Sequence, residues 1–149
     1  MSRIVGIDYG TKRVGLAVSD DRKILALPFK CIEAGKNLNI TASNILEALK
    51  AYPSIERFVL GHPLRLNGQE SPMGACTQKL LLLLQEMQQA PVILWDERLS
   101  SAQAERLLGH MKRKKRTQHV DTLAASIILQ SYLDSPWKGD MPIPPPRRI

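Results

Sequence analysis

The stretch "IVGIDYGTKRVGLAVSD", residues 4–20, decides the fold. It consists of two apolar runs, both rich in β-branched residues, and Gly10 suits a turn between them, so the stretch predicts a β-hairpin. The first run ends on a carboxylate, Asp8, and two bases, Lys12 and Arg13, follow it closely. The question for function is what an acid does at the end of an apolar strand.

The rest of the chain alternates between strand-like and helix-like apolar patterns. The predicted strands are 3–8, 13–19, 24–32, 57–60 and 91–95, and the predicted helices are 41–52, 75–87, 100–108 and 120–133. We read 61–74 as a loop rich in Gly, Pro and Asn. Three strands joined by short turns favour antiparallel pairing, and later strands that alternate with helices favour parallel pairing. The order predicts an α/β fold with a mixed five-stranded sheet flanked by helices.

The composition is that of one globular domain with a polyanionic partner. The chain has 149 residues, 44% of them hydrophobic, and a formal net charge of +7. This length suits a single domain over 1–138, followed by a Pro/Arg-rich tail over 139–149. The basic balance favours nucleic acid as a partner.

The same composition weighs against several other classes of protein. The two cysteines form no metal-binding pattern, which predicts free thiols and no zinc site. We see no signal peptide, and the longest apolar run is too short to span a bilayer. We therefore expect a cytoplasmic protein without a membrane partner.

Acidic residues follow the predicted parallel strands at the same edge of the sheet. Asp8 ends the first strand, Asp96 and Glu97 end the last, and Asp121 begins the last predicted helix. Ligands of open α/β sheets bind beyond the carboxyl ends of the strands. Acids gathered there would repel one another unless a hard cation such as Mg²⁺ or Mn²⁺ held them. One or two such ions would allow hydrolysis of a phosphodiester.

Each acid also has a purely structural explanation. Asp8 could cap the turn at Gly10, and Asp121 could be a carboxylate at a helix start, where the helix dipole favours it. Successive side chains of a strand point to opposite faces, so only one of Asp96 and Glu97 is expected to face the site. We prefer Glu97.

A run of five bases lies just before Asp121. Placed between two predicted helices, it reads as a mobile basic loop that could neutralise and position the phosphates of a substrate. A solvated surface is the alternative. The run consists of Lys112, Arg113, Lys114, Lys115 and Arg116.

Four blocks of the sequence resemble the YqgF/RuvX family, the proposed nucleases of pre-16S ribosomal RNA that are also described as Holliday junction resolvase-like. The blocks are "IVGIDYGTKRVGLAVSD", "FVLGHPLRLNGQE", "WDERLSSAQAERLL" and "VDTLAASIILQSYLD", in order over nearly the whole chain. The resemblance implies an RNase H-like fold and a catalytic, metal-binding set of Asp8, Glu97 and Asp121. It also implies metal-dependent cleavage that matures the 5′ end of the small-subunit rRNA precursor.

The expected substrate is structured nucleic acid: precursor rRNA, with branched DNA as the alternative of a Holliday junction resolvase-like endonuclease. Lys12, Arg13 and Arg98 are expected to hold phosphates, and the five-base run to hold the wider backbone. Ribosomal particles are a further expected partner, and both a monomer and a homodimer remain open. Two other classes compete: a non-catalytic nucleic-acid-binding module, and a nucleotide-binding protein, because "DYGTKRVG" also resembles the phosphate-binding hairpin of actin, sugar kinases and Hsp70.

Overall fold

The computed structural model describes residues 2–63, 72–96 and 113–135, and for 113–121 it describes the backbone alone. The strands are β1 (Arg3–Tyr9), β2 (Arg13–Ser19), β3 (Ala26–Glu33), β4 (Ile55–His62) and β5 (Val92–Asp96). The helices are α1 (Leu38–Ala48), α2 (Pro72–Met87) and α3 (Arg113–Leu133), with a 3-10 turn, Leu49–Ala51, after α1. The predicted helix at 100–108 and the predicted tail lie outside the described residues.

The five strands form one mixed sheet in the order β3-β2-β1-β4-β5. β2 is antiparallel to both of its neighbours, whereas β1, β4 and β5 are parallel to one another. The predicted fold class is thus confirmed. β1, β3, β4 and β5 all point the same way, so their last residues lie along a single margin of the sheet, here called the carboxyl edge.

Each face of the sheet is covered by helices, and β1 contributes side chains to both. Val5 and Ile7 belong to the core cluster that contains residues of α1 and α2. Ile4 belongs to the cluster formed with α3. This alternation follows from the two-residue period of a strand. It explains why a run that is apolar at nearly every position forms the buried central strand.

Glycine at position 6 allows α3 to pack closely on β1. A Cβ atom there would lie 2.7 Å from Cβ of Leu129 and 2.9 Å from the carbonyl oxygen of Ala125. Both distances are too short for a real side chain. The contact sets the height of α3 above the central strand.

α3 runs in the direction opposite to β1. Near the end of the helix, the Gln130 side chain accepts a hydrogen bond from the Ala26 amide at 2.9 Å. Ala26 pairs with Ser19, whose hydroxyl accepts a bond from the Ile4 amide near the start of β1. Residues earlier in α3, including Ala125, contact the middle of β1. The beginning of α3 is therefore directed towards the carboxyl edge.

Several predicted boundaries were wrong, and local chemistry explains most of them. The Asn37 side chain accepts a hydrogen bond from the Ile40 amide, so α1 begins at Leu38 rather than at 41. Pro72 starts α2, as the fixed φ of proline allows. β4 continues to His62. The predicted loop over 61–74 is therefore shortened at both ends. The carboxylate of Asp20 accepts the amides of residues 24 and 25, so β3 begins only at Ala26.

The largest boundary error concerns the basic run. α3 begins at Arg113, so residues 113–116 form its first turn and are not the predicted mobile loop. Lys and Arg have good helix propensity, which is compatible with a helical first turn made of bases. Lys112 lies outside the described residues.

Candidate active site

Asp8 is half-buried at the carboxyl edge, next to the last residue of the central strand. It pairs with Gly15 of β2. The turn that follows is closed by the Gly10 amide, which donates to the carbonyl of Arg13 at 2.9 Å. By strand alternation Asp8 shares the face of Ile4 and Gly6, which is the face that α3 covers.

Asp121 lies inside α3 and not at its start. It follows the first residue of the helix by eight positions, and no acidic residue occupies the first turn. The alternative that Asp121 is a helix-start carboxylate favoured by the helix dipole is therefore wrong. In the backbone, Asp121 precedes Ala125 by about one helical turn.

Asp96 ends β5 and pairs in register with His62 at the end of β4. Within β5, Val92 belongs to the core on the α1 and α2 side, whereas Trp95 packs against α3. Asp96, one residue further, therefore lies on the face opposite to that of Asp8. Glu97 lies outside the described residues, as does Arg98.

The two bases after Asp8 are exposed on the β1–β2 turn. Arg13 begins β2 opposite Glu33, the last residue of β3. The carbonyl of Lys12 accepts the Ala34 amide at 2.9 Å, which extends the β2–β3 pairing beyond the strands. The turn is thus tied by backbone hydrogen bonds on both sides, and its bases stand beside Asp8 along the edge.

Tyr9 follows Asp8 on the opposite face, against the α1 and α2 core. Burial raises the pKa of the Tyr9 phenol, and Cys76 of α2 raises it further. The phenol is therefore neutral at physiological pH and belongs to the packing beneath the edge.

Sequence analysis did not single out Lys36, an exposed base just beyond β3. The predicted third strand ended at residue 32. The sequence therefore offered no reason to place the residues that follow β3 at the carboxyl edge. The pairing of Ala34 with Lys12 is the contact that places this segment there.

No group of three His, Cys, Asp or Glu side chains that could hold a metal occurs within the described residues, which exclude the side chains of Glu97 and Asp121. In the same part of the chain, no helix combines the length and the apolar character needed to cross a membrane.

A family model described as "RuvX: Holliday junction resolvase" matches residues 2–135. The chain belongs to the RuvX family. A relative from Protochlamydia amoebophila is 43% identical over 141 residues, which cover 90% of this chain and 94% of the relative. One from Bacillus cytotoxicus is 43% identical over 136 residues, which cover 89% and 98%. Both carry the name "Putative pre-16S rRNA nuclease". The predicted family, with its phosphodiester-hydrolysing class of enzyme, is thereby confirmed.

Solved resolvase structures share the fold. RuvC of Thermus thermophilus, solved in complex with a Holliday junction substrate, has a TM-score of 0.53 and 15% identity. That match covers 89% of this chain and 94% of RuvC. The fowlpox virus Holliday junction resolvase gives a TM-score of 0.56 at 15% identity, with 89% and 97% covered. At such low identity the likeness concerns the fold, which is the RNase H-like fold expected from the sequence.

Proposed function

We propose that this chain is a metal-dependent nuclease that cleaves structured nucleic acid and matures the 5′ end of pre-16S rRNA. The proposed catalytic and metal-binding residues are Asp8, Glu97 and Asp121. The proposal combines the nuclease family of the chain with the way its elements approach one another at the carboxyl edge.

The close packing of α3 on β1 is the observation that carries the proposal. Gly6 lies against α3 between Ala125 and Leu129, and only glycine permits so close a contact. From Ala125 back to Asp121 the helix rises about 6 Å, and from Gly6 to Asp8 the strand advances about 6.6 Å. Since α3 runs opposite to β1, both steps lead to the carboxyl edge. Two acids that are distant in the sequence thus occupy backbone positions at the same end of the contact.

Residues of β5 alternate between the two faces of the sheet, and this alternation supports Glu97 over Asp96 as the third acid. Asp96 lies on the side of α1 and α2, away from Asp8. If the strand alternation continued for one more residue, position 97 would lie on the α3 side of the sheet, as Trp95 does. We therefore assign the third acid of the site to Glu97.

Three carboxylates fit a hard divalent cation, because such ions prefer oxygen ligands. Asp8, Glu97 and Asp121 would hold Mg²⁺ or Mn²⁺, which in such sites activates water and stabilises the leaving oxygen of a phosphodiester. The half-buried position of Asp8 on the α3 face suits this role, since burial strengthens its attraction for a cation. No side chain is required as a covalent nucleophile.

Bases on either side of the acids would bind the phosphates of the substrate. Lys12 and Arg13 are exposed on the turn beside Asp8. Residues 113–116 form the first turn of α3, at the end of the helix that approaches the same edge. We assign phosphate binding to these bases, and also to Arg98 and Lys112. Contacts of this kind give affinity without sequence readout.

The relatives support RNA as the substrate, and the description of the family model supports branched DNA as a second candidate. Two relatives at 43% identity, each matched over nearly its whole length, are named for pre-16S rRNA. The description of the family model refers to Holliday junctions. With the RNA substrate, the protein would work in the cytoplasm in contact with ribosomal particles, as a monomer or a homodimer.

The decisive experiment is cleavage of a transcript that carries the 5′ precursor segment of 16S rRNA, with Mn²⁺ or Mg²⁺. We expect cleavage by the wild type, none in EDTA, and a loss of at least about 100-fold in Asp8→Asn. Asp134→Asn, at the far end of α3, serves as the matched control with the same change of charge. A synthetic four-way DNA junction tests the second substrate. Cleavage by Asp8→Asn at the rate of the wild type would exclude this site.

A further inference from the structure

The charged residues at the carboxyl edge are arranged in the order of the strands. Lys36 follows β3, Lys12 and Arg13 lie at the β1–β2 turn, Asp8 lies next to the last residue of β1, and Asp96 ends β5. The β3 half of the edge thus carries three bases and one acid, Glu33, whereas Asp8 and Asp96 lie at its centre and on its β5 side. A polyanion that reaches the acids from the β3 side would meet these bases first.

The segment that carries Lys36 is held by several hydrogen bonds. The Ala34 amide donates to the carbonyl of Lys12, and the Gly35 amide donates to Oγ1 of Thr41, both at 2.9 Å. The Thr41 hydroxyl in turn donates to the carbonyl of Asn37 at 3.0 Å. Lys36 therefore has a fixed backbone position beside the turn, while its side chain is exposed.

We propose that Lys36 is a further substrate-binding residue, which contacts a phosphate of the nucleic acid on the β3 side of the catalytic acids. This inference rests on the proposed nuclease function, and it gives the substrate a path across the edge from β3 towards β1. Two strand spacings of about 4.8 Å separate β3 from β1, so Lys36 lies roughly 10 Å or more from Asp8. That separation places its phosphate beyond the scissile one.

Glu33, three residues before Lys36 in the sequence, is an exposed acid opposite Arg13. It reduces the positive charge of the β3 half without cancelling it, because Lys36, Lys12 and Arg13 outnumber it three to one in this segment. No ion pair is recorded between Lys36 and any residue that the structure describes, so its charge remains available to a phosphate.

The test is the salt dependence of RNA binding by Lys36→Gln, measured by fluorescence anisotropy with a labelled structured RNA from the 5′ precursor segment of 16S rRNA in EDTA, where cleavage does not interfere. Loss of one phosphate contact should reduce the slope of log K against log salt by about 0.7 and weaken binding about fivefold near 0.1 M salt. Lys50→Gln is the matched control. It removes the same charge from an exposed site after α1, where Lys50 pairs with Glu47 at 2.8 Å.

A slope and affinity of Lys36→Gln equal to those of the wild type would overturn the inference, as would an equal loss in Lys50→Gln. Absence of RNA binding by the wild type would overturn it as well. The proposed nuclease function is judged separately, by cleavage in Asp8→Asn. Unchanged binding by Lys36→Gln together with inactive Asp8→Asn would leave the nuclease and remove only the role of Lys36.

Discussion

Leu129 of α3 packs against Gly6 of β1 so closely that a methyl group at position 6 would lie 2.7 Å from its Cβ. The contact lies two strand residues from Asp8, and Asp121 precedes Leu129 on the same helix by about two turns. It therefore links the packing of the core to the geometry of the proposed site. A change at this contact should affect stability and catalysis together.

Gly6→Ala should destabilise the protein by about 1–3 kcal/mol, because the added methyl group overpacks the interface between β1 and α3. Part of the clash is with the backbone carbonyl of Ala125, which cannot move without moving the helix. The free energy of unfolding in urea measures the loss. Cleavage should fall as well under conditions in which the variant is still folded.

The double variant Gly6→Ala/Leu129→Gly distinguishes a local clash from a general weakening of the core. Leu129→Gly removes the Cβ atom that the new methyl group would meet, so the two effects should not add, and the double variant should be more stable than the sum of the single changes predicts. Additive losses would contradict the contact.

Acid should remove a stabilising contribution of Asp20. Its carboxylate accepts the amides of Leu25 and Ile24, and these bonds lower its pKa below the ordinary value of 3.8. A carboxyl whose pKa is lowered by folding stabilises the folded state above its unfolded pKa, and the contribution is lost as the pH falls through the lower, folded value. The difference in urea midpoint between wild type and Asp20→Asn should be constant above about pH 5 and shrink below pH 4. A difference independent of pH would contradict this explanation.

The sheet could be predicted from the sequence because hydrophobic patterns and short turns determine strand pairing locally. Residues 4–20 contain both strands and the turn of the first hairpin, and β2 has the predicted bounds. Element ends were harder, because they depend on side-chain bonds such as that of Asn37 to the Ile40 amide. Such bonds are local, but several nearby residues can cap a helix, and the apolar pattern alone does not select one of them.

The candidate site could be predicted only in part, for a reason that is also physical. Asp8 is marked by its position at the end of an apolar run. The approach of Asp121 to the same edge depends on the height of α3 above Gly6, a tertiary contact with no periodic signal. Lys36 was missed because it reaches the edge through the pairing of Ala34 with Lys12, beyond the end of the predicted strand.

Asp121→Asn should abolish cleavage while it leaves folding and RNA binding intact. Removing one carboxylate from a site of three weakens its hold on a divalent ion, and we expect a loss of at least about 100-fold. Asp134→Asn makes the same change just beyond the end of α3, where the carboxylate accepts a bond from Gln130 that an amide oxygen can replace. Measured with the pre-16S transcript, Asp134→Asn should cleave normally. Equal activities of the two variants would contradict the role of Asp121.

Cleavage by variants of Asp96 and Glu97 is the sharpest comparison, because these adjacent acids are expected on opposite faces of the sheet. Asp96 lies on the α1 and α2 side, in register with His62, whereas Glu97 is proposed to join Asp8 on the α3 side. Glu97→Gln should therefore lose cleavage by at least about 100-fold, and Asp96→Asn should keep activity within about threefold of the wild type. Titration with Mn²⁺ adds a second measure, since only Glu97→Gln should require a higher concentration for residual cleavage. The reverse result, an inactive Asp96→Asn beside an active Glu97→Gln, would mean that the chain turns at the end of β5 so as to bring Asp96 to the metal.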